Sequence, residues 1–243
     1  MVDDRLLTFP ISKEIIAKIC DRHFGIGADG LILLQNDSEF DFKMIYFNSD
    51  GNESTMCGNG GRCIVRFAEN LNIIQKQTSF IAVDGKHEAI LTPENIELKM
   101  TDVSEVQLFA NHQFVHTGSP HHVEFVFDVE EVNVKQKGAE IRYGSPYFEV
   151  GSNVNFVEFI DENSLKIRTY ERGVEDETLA CGTGVTAAAI AAFELGKVKE
   201  NEVIVQALGG TLKVKFERHS SGGYENIWLT GPAEFVFSGE IEI

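Results

Sequence analysis

The chain has 243 residues, 43% of them hydrophobic and 24% charged, with a net charge of −17 at pH 7. That balance suits a soluble globular chain of one large or two ordinary domains, and it argues against a nucleic-acid partner, which needs a basic face. The longest apolar stretch, around Val185–Phe193, is well short of the ~20 residues that cross a bilayer.

In chain order, Ser12–Phe24 reads as a helix with Ile15, Ile16, Ile19 and Cys20 on one face. Gly25–Gly30 is a glycine-rich loop leading into a strand at Leu31–Leu34, and Asp41–Asn48 is a second strand. Arg62–Asn70 reads as a helix bearing Ile64 and Phe67. Ser79–Val83 and Lys86–Leu91 form a hairpin closed by Asp84-Gly85, followed by a strand at Asn95–Met100. The polar Ala110–His112 is taken as a boundary, giving one domain of residues 1–110 plus 233–243 and another of 111–232. Strands at Val123–Phe127, Val154–Ile160 and Leu165–Thr169 come next, then an alanine-rich helix, Thr183–Leu195, stopped by Gly196. Val203–Ala207 and Thr211–Phe216 pair around Gly209-Gly210, and Ile227–Thr230 and Glu234–Phe237 end the chain as strands. The expected fold class is α+β, in two pseudo-symmetric halves, each with many strands around a central helix.

The sequence E-S-T-M-C-G-N-G at Glu53–Gly60 returns as E-T-L-A-C-G-T-G at Glu177–Gly184. Each copy has Glu four residues before Cys, a hydroxyl three before it, and Gly one and three after it. Repetition points to two related halves, and packing alone does not require Cys-Gly-x-Gly twice. Each cysteine immediately precedes a helix start, where unpaired N–H groups favour negative charge and raise the thiolate fraction. Glycines let the amides of Gly58, Asn59, Gly182 and Thr183 approach a carboxylate. A thiolate on one face of a carbon can remove its proton while a thiol on the other face supplies one. The result is inversion, with amide donors stabilising the carbanion. Of the other cysteines, Cys20 and Cys63 lie on apolar helical faces and read as structural. No CxxC pair exists, and no histidine falls at zinc-finger spacing.

FNSDGNESTMCGNGGRC (Phe47–Cys63) and ERGVEDETLACGTG (Glu171–Gly184) resemble the two signatures of the diaminopimelate epimerases. GIGADG (Gly25–Gly30), GSPHHV (Gly118–Val123), NVNFVE (Asn153–Glu158) and LTGPAEFVFSGEI (Leu229–Ile241) do so as well. The resemblance runs from about Leu6 to the end of the chain. It implies pyridoxal-independent interconversion of LL- and meso-diaminopimelate, in lysine and peptidoglycan precursor synthesis, by a homodimer. The two thiol motifs themselves call for no cofactor and no metal, and with no secretory signal read the cytoplasm is the default location. The resemblance implies Cys57 and Cys181 as acid/base thiols, with Gly58, Asn59, Gly182 and Thr183 at the reacting carboxylate. Asn48, Asn153 and Arg172 match positions that read the distal end of the substrate. Glu171 matches a position for an ammonium group, and His121 a histidine beside the reacting centre. Taken singly, Asn48 and Asn153 read as turn residues, Glu171-Arg172 as a solvated pair and His121 as an ordinary histidine.

Three departures from the family pattern stand out. Members open with a strand and a G-x-G-N-D-F loop, whereas this chain opens at Met1-Val2-Asp3-Asp4. Roughly fifteen to twenty residues of that segment are expected to be absent, which would leave a strand edge unpaired. Val174-Glu175-Asp176 carries one residue more than the commonest spacing, and Ser119 stands where many members have Asn. The start also lacks a basic segment followed by an apolar run, so no secretory signal is read. The alternatives are an inactive truncated homologue, a same-fold proline or hydroxyproline racemase, and a thiol redox switch. A phenazine-type isomerase would lack the cysteine pair.

Overall fold

The computed structural model describes residues 1–242. The chain forms two compact units, Met1–Leu98 with Pro232–Ile243, and Lys99–Gly231. In the first unit the order is β1 (Val2–Asp3), α1 (Lys13–Cys20), β2 (Gly30–Gln35), β3 (Phe42–Asn48), β4 (Glu53–Ser54), α2 (Gly58–Asn70), β5 (Gln77–Ala82), β6 (Gly85–Leu91) and β7 (Ile96–Lys99). The sheet runs β1-β2-β3-β5-β6-β7, with β4 beside β3. β1–β2 and β3–β5 are parallel, with α1 and α2 as their crossovers, and the other pairs are antiparallel.

The second unit begins with a hairpin, β8 (Val106–Leu108) and β9 (Gln113–His116). Ala110–His112, expected as a boundary, is the turn of that hairpin, where Phe109 N–H donates to His112 O at 2.9 Å. Then come β10 (Pro120–Phe125), α3 (Val134–Tyr143), β11 (Asn153–Phe159), β12 (Ser164–Glu171), β13 (Asp176–Thr178), α4 (Gly182–Glu194), β14 (Glu202–Ala207), β15 (Gly210–Arg218) and β16 (Tyr224–Gly231). The sheet order is β16-β15-β14-β12-β11-β10-β9-β8, with β13 beside β12.

From β10 onward the second unit repeats the first, element for element and pairing for pairing. β10∥β11 matches β1∥β2, and β12∥β14 matches β3∥β5. α4 and α2 occupy the same crossover. Aligning the cysteine motifs also aligns registers. Phe47↔Glu53 corresponds to Tyr170↔Glu177, and Tyr46↔Ser54 to Thr169↔Thr178. One residue along, Asn48 corresponds to Glu171. One strand over, Ile32, opposite Tyr46, corresponds to Asn155, opposite Thr169.

The helices follow from their sequences. Ser12 caps α1 by accepting the Ile15 N–H, and Asp21 ends it earlier than expected by accepting the His23 and Phe24 N–H groups at 2.7 Å. α4 is apolar around its whole circumference, and Val185 and Ala187–Ala192 are fully buried. It touches all eight strands β8–β12 and β14–β16, as a helix without a polar face must when enclosed. The two cysteines are the N-cap residues of α2 and α4, so α2 starts ahead of the expected Arg62. Glu234–Phe237, expected as a strand, is neither helix nor strand, having no ladder partner among the described residues.

Candidate active site

In the first unit the cysteine motif leaves β4 and turns into α2. Cys57 adopts extended backbone angles, φ −106° and ψ 151°, and its Sγ accepts the Gly60 N–H at 3.2 Å. Such a bond is stronger to a thiolate than to a thiol. A Cβ at position 60 would lie 3.2 Å from both that sulfur and Ile32 Cδ1, so glycine lets the sulfur settle against the helix end. Cys57 and Asn59 are exposed, whereas Gly58 is buried. Below them lies the buried Arg62, which the sequence reading passed over. Its guanidinium donates to Gly58 O at 3.1 Å, Asn59 Oδ1 at 3.0 Å and Pro232 O at 3.4 Å. This cation, close enough to feel charge on Cys57 and Cys63, braces the first turn of α2. Asn48 ends β3, exposed, its N–H donating to Asn52 O.

In the second unit the matching cysteine is buried. Cys181 makes no side-chain cap bond, and its Sγ lies 3.4 Å from the Thr183 hydroxyl. The Thr183 carbonyl accepts from Thr117 Oγ1 at 3.0 Å, and Gly182 O from Thr186 Oγ1 at 3.0 Å. The strands beside this helix end carry the remaining expected residues. Asn153 is buried, and its amide bridges two chain segments. Nδ2 donates to Ser119 Oγ at 2.9 Å and Pro120 O at 3.1 Å, while Oδ1 accepts the Arg172 N–H at 2.9 Å. Asn153 therefore spends both amide hydrogens inside the protein and fixes the backbone of Arg172. The Arg172 guanidinium is half-buried and reaches Val150 O at 3.0 Å. Glu171 accepts the Thr178 hydroxyl at 3.0 Å. Burial pushes this carboxylic acid above its ordinary pKa, and the Thr178 bond opposes the shift. His121 is fully buried and pairs in register with Asn153. Burial, with His116 and Arg172 acting in the same direction, lowers its pKa to about 3, so the ring is neutral.

β13, just before Cys181, is pinned residue by residue. Lys135 holds Asp176 at 2.6 Å, Arg168 holds Glu177 through two bonds of 2.6 and 2.7 Å, and Thr178 bonds Glu171. The Glu and the hydroxyl of the repeat therefore act as a strap in this unit. Thr178, bonded to Glu171, and Asn155, beside His121, were not singled out from the sequence. The repeated hydroxyl was the available sign for Thr178, and a polar residue between Val154 and Phe156 was the sign for Asn155. No group of three or more His, Cys, Asp or Glu side chains among the described residues is placed to hold a metal, and no described helix is long and apolar enough to cross a membrane.

A sequence profile of the diaminopimelate epimerases matches residues 1–106 and 113–236. The chain belongs to the diaminopimelate epimerase family. The Flavobacterium psychrophilum diaminopimelate epimerase is 54% identical over 99% of this chain and 94% of its own length. The enzyme of Chlorobaculum tepidum is 43% identical over 100% of this chain and 96% of its own. In fold, the chain resembles a Bacillus anthracis phenazine biosynthesis protein at a TM-score of 0.79 and 15% identity, covering 99% of this chain and 91% of that one. A probable proline racemase from Agrobacterium radiobacter K84 follows at 0.69 and 15%, covering 97% and 82%. At such identities the likeness is one of fold, and it agrees with the two-unit α+β architecture of this chain.

Proposed function

We propose that this chain is an isomerase interconverting LL- and meso-diaminopimelate with two cysteines as its proton carriers. One cysteine starts as thiolate and the other as thiol. The thiolate removes the α-proton and becomes a thiol, and the carbon holds the electron pair as a carboxylate-stabilised carbanion. The other thiol then gives its proton to the opposite face and becomes the thiolate. Atoms and charge balance without a cofactor, and the reverse reaction exchanges the two roles. The observation that carries this reading is the placement of Cys57 and Cys181 as N-cap residues of topologically equivalent helices, within a family of epimerases.

The amides that open α2 and α4, from Gly58, Asn59, Gly182 and Thr183, would receive the reacting carboxylate. Arg172, Asn48 and Asn153 would recognise or frame the distal amino-acid end, and ionised Glu171 would hold an ammonium. Asn153 does its part chiefly by holding Arg172. A homodimer fits the exposed run Phe235-Val236-Phe237, an apolar surface that a second copy would cover. Sedimentation of the chain and of a Phe237→Ser variant tests that point. A dimer that this variant weakens is expected, and a monomeric parent chain would overturn it. The cytoplasm remains the expected location, where reduced thiols persist. Incubation of LL-diaminopimelate with the chain under reductant, with chiral separation of the products, tests the reaction. Appearance of the meso isomer is expected, and unchanged substrate would contradict the assignment.

A further inference from the structure

Asn155 lies in the middle of β11 and is fully buried. Its amide orientation is settled by its neighbours. One end of the amide lies 2.9 Å from His122 O, and a carbonyl can only accept, so that end is Nδ2. The other end, Oδ1, takes the Thr169 hydroxyl at 3.0 Å. The second Nδ2 hydrogen is left for His121 Nδ1, 3.2 Å away. A ring nitrogen that accepts carries a lone pair, so the proton of this neutral imidazole is on Nε2. His121 Nε2 is buried and has no acceptor among the described residues.

The fold alone does not require an amide here. The equivalent slot of the first unit holds Ile32, buried against Gly60. In the second unit the motif's matching glycine, Gly184, makes room for the amide, since a Cβ there would lie 2.4 Å from Asn155 Oδ1. The second cysteine motif is thus fitted to Asn155 as the first is fitted to an aliphatic side chain.

We propose that Asn155 is a positioning residue that locks His121 in its Nε2-protonated neutral tautomer, making the ring a hydrogen-bond donor to an anionic acceptor at the reacting centre and not a proton-accepting base. The functional half of this statement rests on the epimerase reading, whereas the tautomer does not. Two neighbours oppose a second proton on the ring: the titratable His116 on β9 and the cationic Arg172 just after β12. Glu124, further along β10, is engaged by Lys137.

The test is long-range 1H–15N correlation of the whole protein labelled in its histidines, with His121 assigned by a His121→Asn variant. A bare Nδ1 and a protonated Nε2, unchanged between about pH 5 and 8, is the expected result. A protonated Nδ1, or a ring that titrates in that range, would overturn the tautomer lock. In Asn155→Ala the ring should show averaged tautomers, and kcat should fall about tenfold or more with KM little changed. A wild-type His121 spectrum in that variant would remove Asn155 from the role. Averaged tautomers with unaltered kcat would remove the catalytic half. If Asn155→Ala does not fold, the near-isosteric Asn155→Leu, which keeps the volume and removes the Nδ2 donor, gives the same two readouts. A wild-type chain that fails to turn over would count against the epimerase reading while leaving the tautomer result standing.

Discussion

The two cysteine motifs share eight-residue spacing, crossover position and strand register, yet they present different sulfurs. Cys57 is exposed and is held by a backbone N–H at an amphipathic helix braced by Arg62. Cys181 is buried beside a hydroxyl, at the end of a helix enclosed by eight strands. The slot facing each motif's last glycine differs as well, Ile32 in one unit and Asn155 in the other. Duplication supplied two equivalent helix ends, and the neighbouring strands made them chemically unequal. A reaction that needs one base and one acid on opposite faces of a carbon can use that inequality.

The strongest way to break the comparison is to remove either sulfur. Cys57→Ala and Cys181→Ala should each lower turnover by about 10³-fold or more with the fold retained. Turnover near wild type in either variant, in a racemisation assay beside circular dichroism, would end the two-thiol account. Next comes the asymmetric distal site. Arg172→Ala should lower kcat/KM by about 10²-fold, chiefly through binding, and Asn48→Ala, at an exposed strand end, by less. Equal losses would mean that the two units share distal recognition evenly.

The matched glycines sharpen the contrast by stability. Gly184→Ala drives a Cβ to 2.4 Å from Asn155 Oδ1 and should cost about 1–3 kcal/mol in denaturant unfolding. Gly60→Ala meets its neighbours at 3.2 Å, and the helix gains up to about 1 kcal/mol in propensity, so the net change should be near zero. Equal destabilisation would mean that the motifs are packed alike. The smallest expected effect lies at Thr178, whose hydroxyl opposes the burial-driven rise of the Glu171 pKa. Thr178→Val removes that bond, so the Glu171 pKa rises further. If ionised Glu171 holds the substrate, the acid limb of kcat/KM moves to higher pH, by about one unit or less. Thr178→Ser should leave the limb in place. A limb unmoved in the Val variant would detach Thr178 from Glu171's charge state.

Much of the fold was legible wherever apolar residues recur at a clear period. α1, α4 and strands such as β2, β3 and β11 lie within a few residues of their expected spans. The missed elements are stabilised by partners distant in sequence. α3, VKQKGAEIRY, has little apolar face and a glycine inside it. That glycine is needed because a Cβ at Gly138 would lie 2.4 Å from Tyr170 Cβ. β13, Asp176-Glu177-Thr178, becomes a strand because Lys135 and Arg168 neutralise its two carboxylates. Glu234–Phe237 differs the other way, having strand-forming residues and no ladder partner among the described residues. The cysteines and the glycines beside them were legible because the repeat marks them. Arg62, Asn155 and Thr178 stood out less, because their significance lies in what they touch: Arg62 holds its own helix start and Pro232, and the other two hold residues of neighbouring strands.

The central claim is that two cysteines carry protons to and from one carbon. The most direct measurement is α-proton exchange of LL-diaminopimelate in D2O, with this chain and reductant present. The account predicts meso product carrying deuterium at the inverted α-carbon, with solvent deuterium delivered by the second thiol. Meso product that keeps its original α-proton, or no exchange at all, would contradict it.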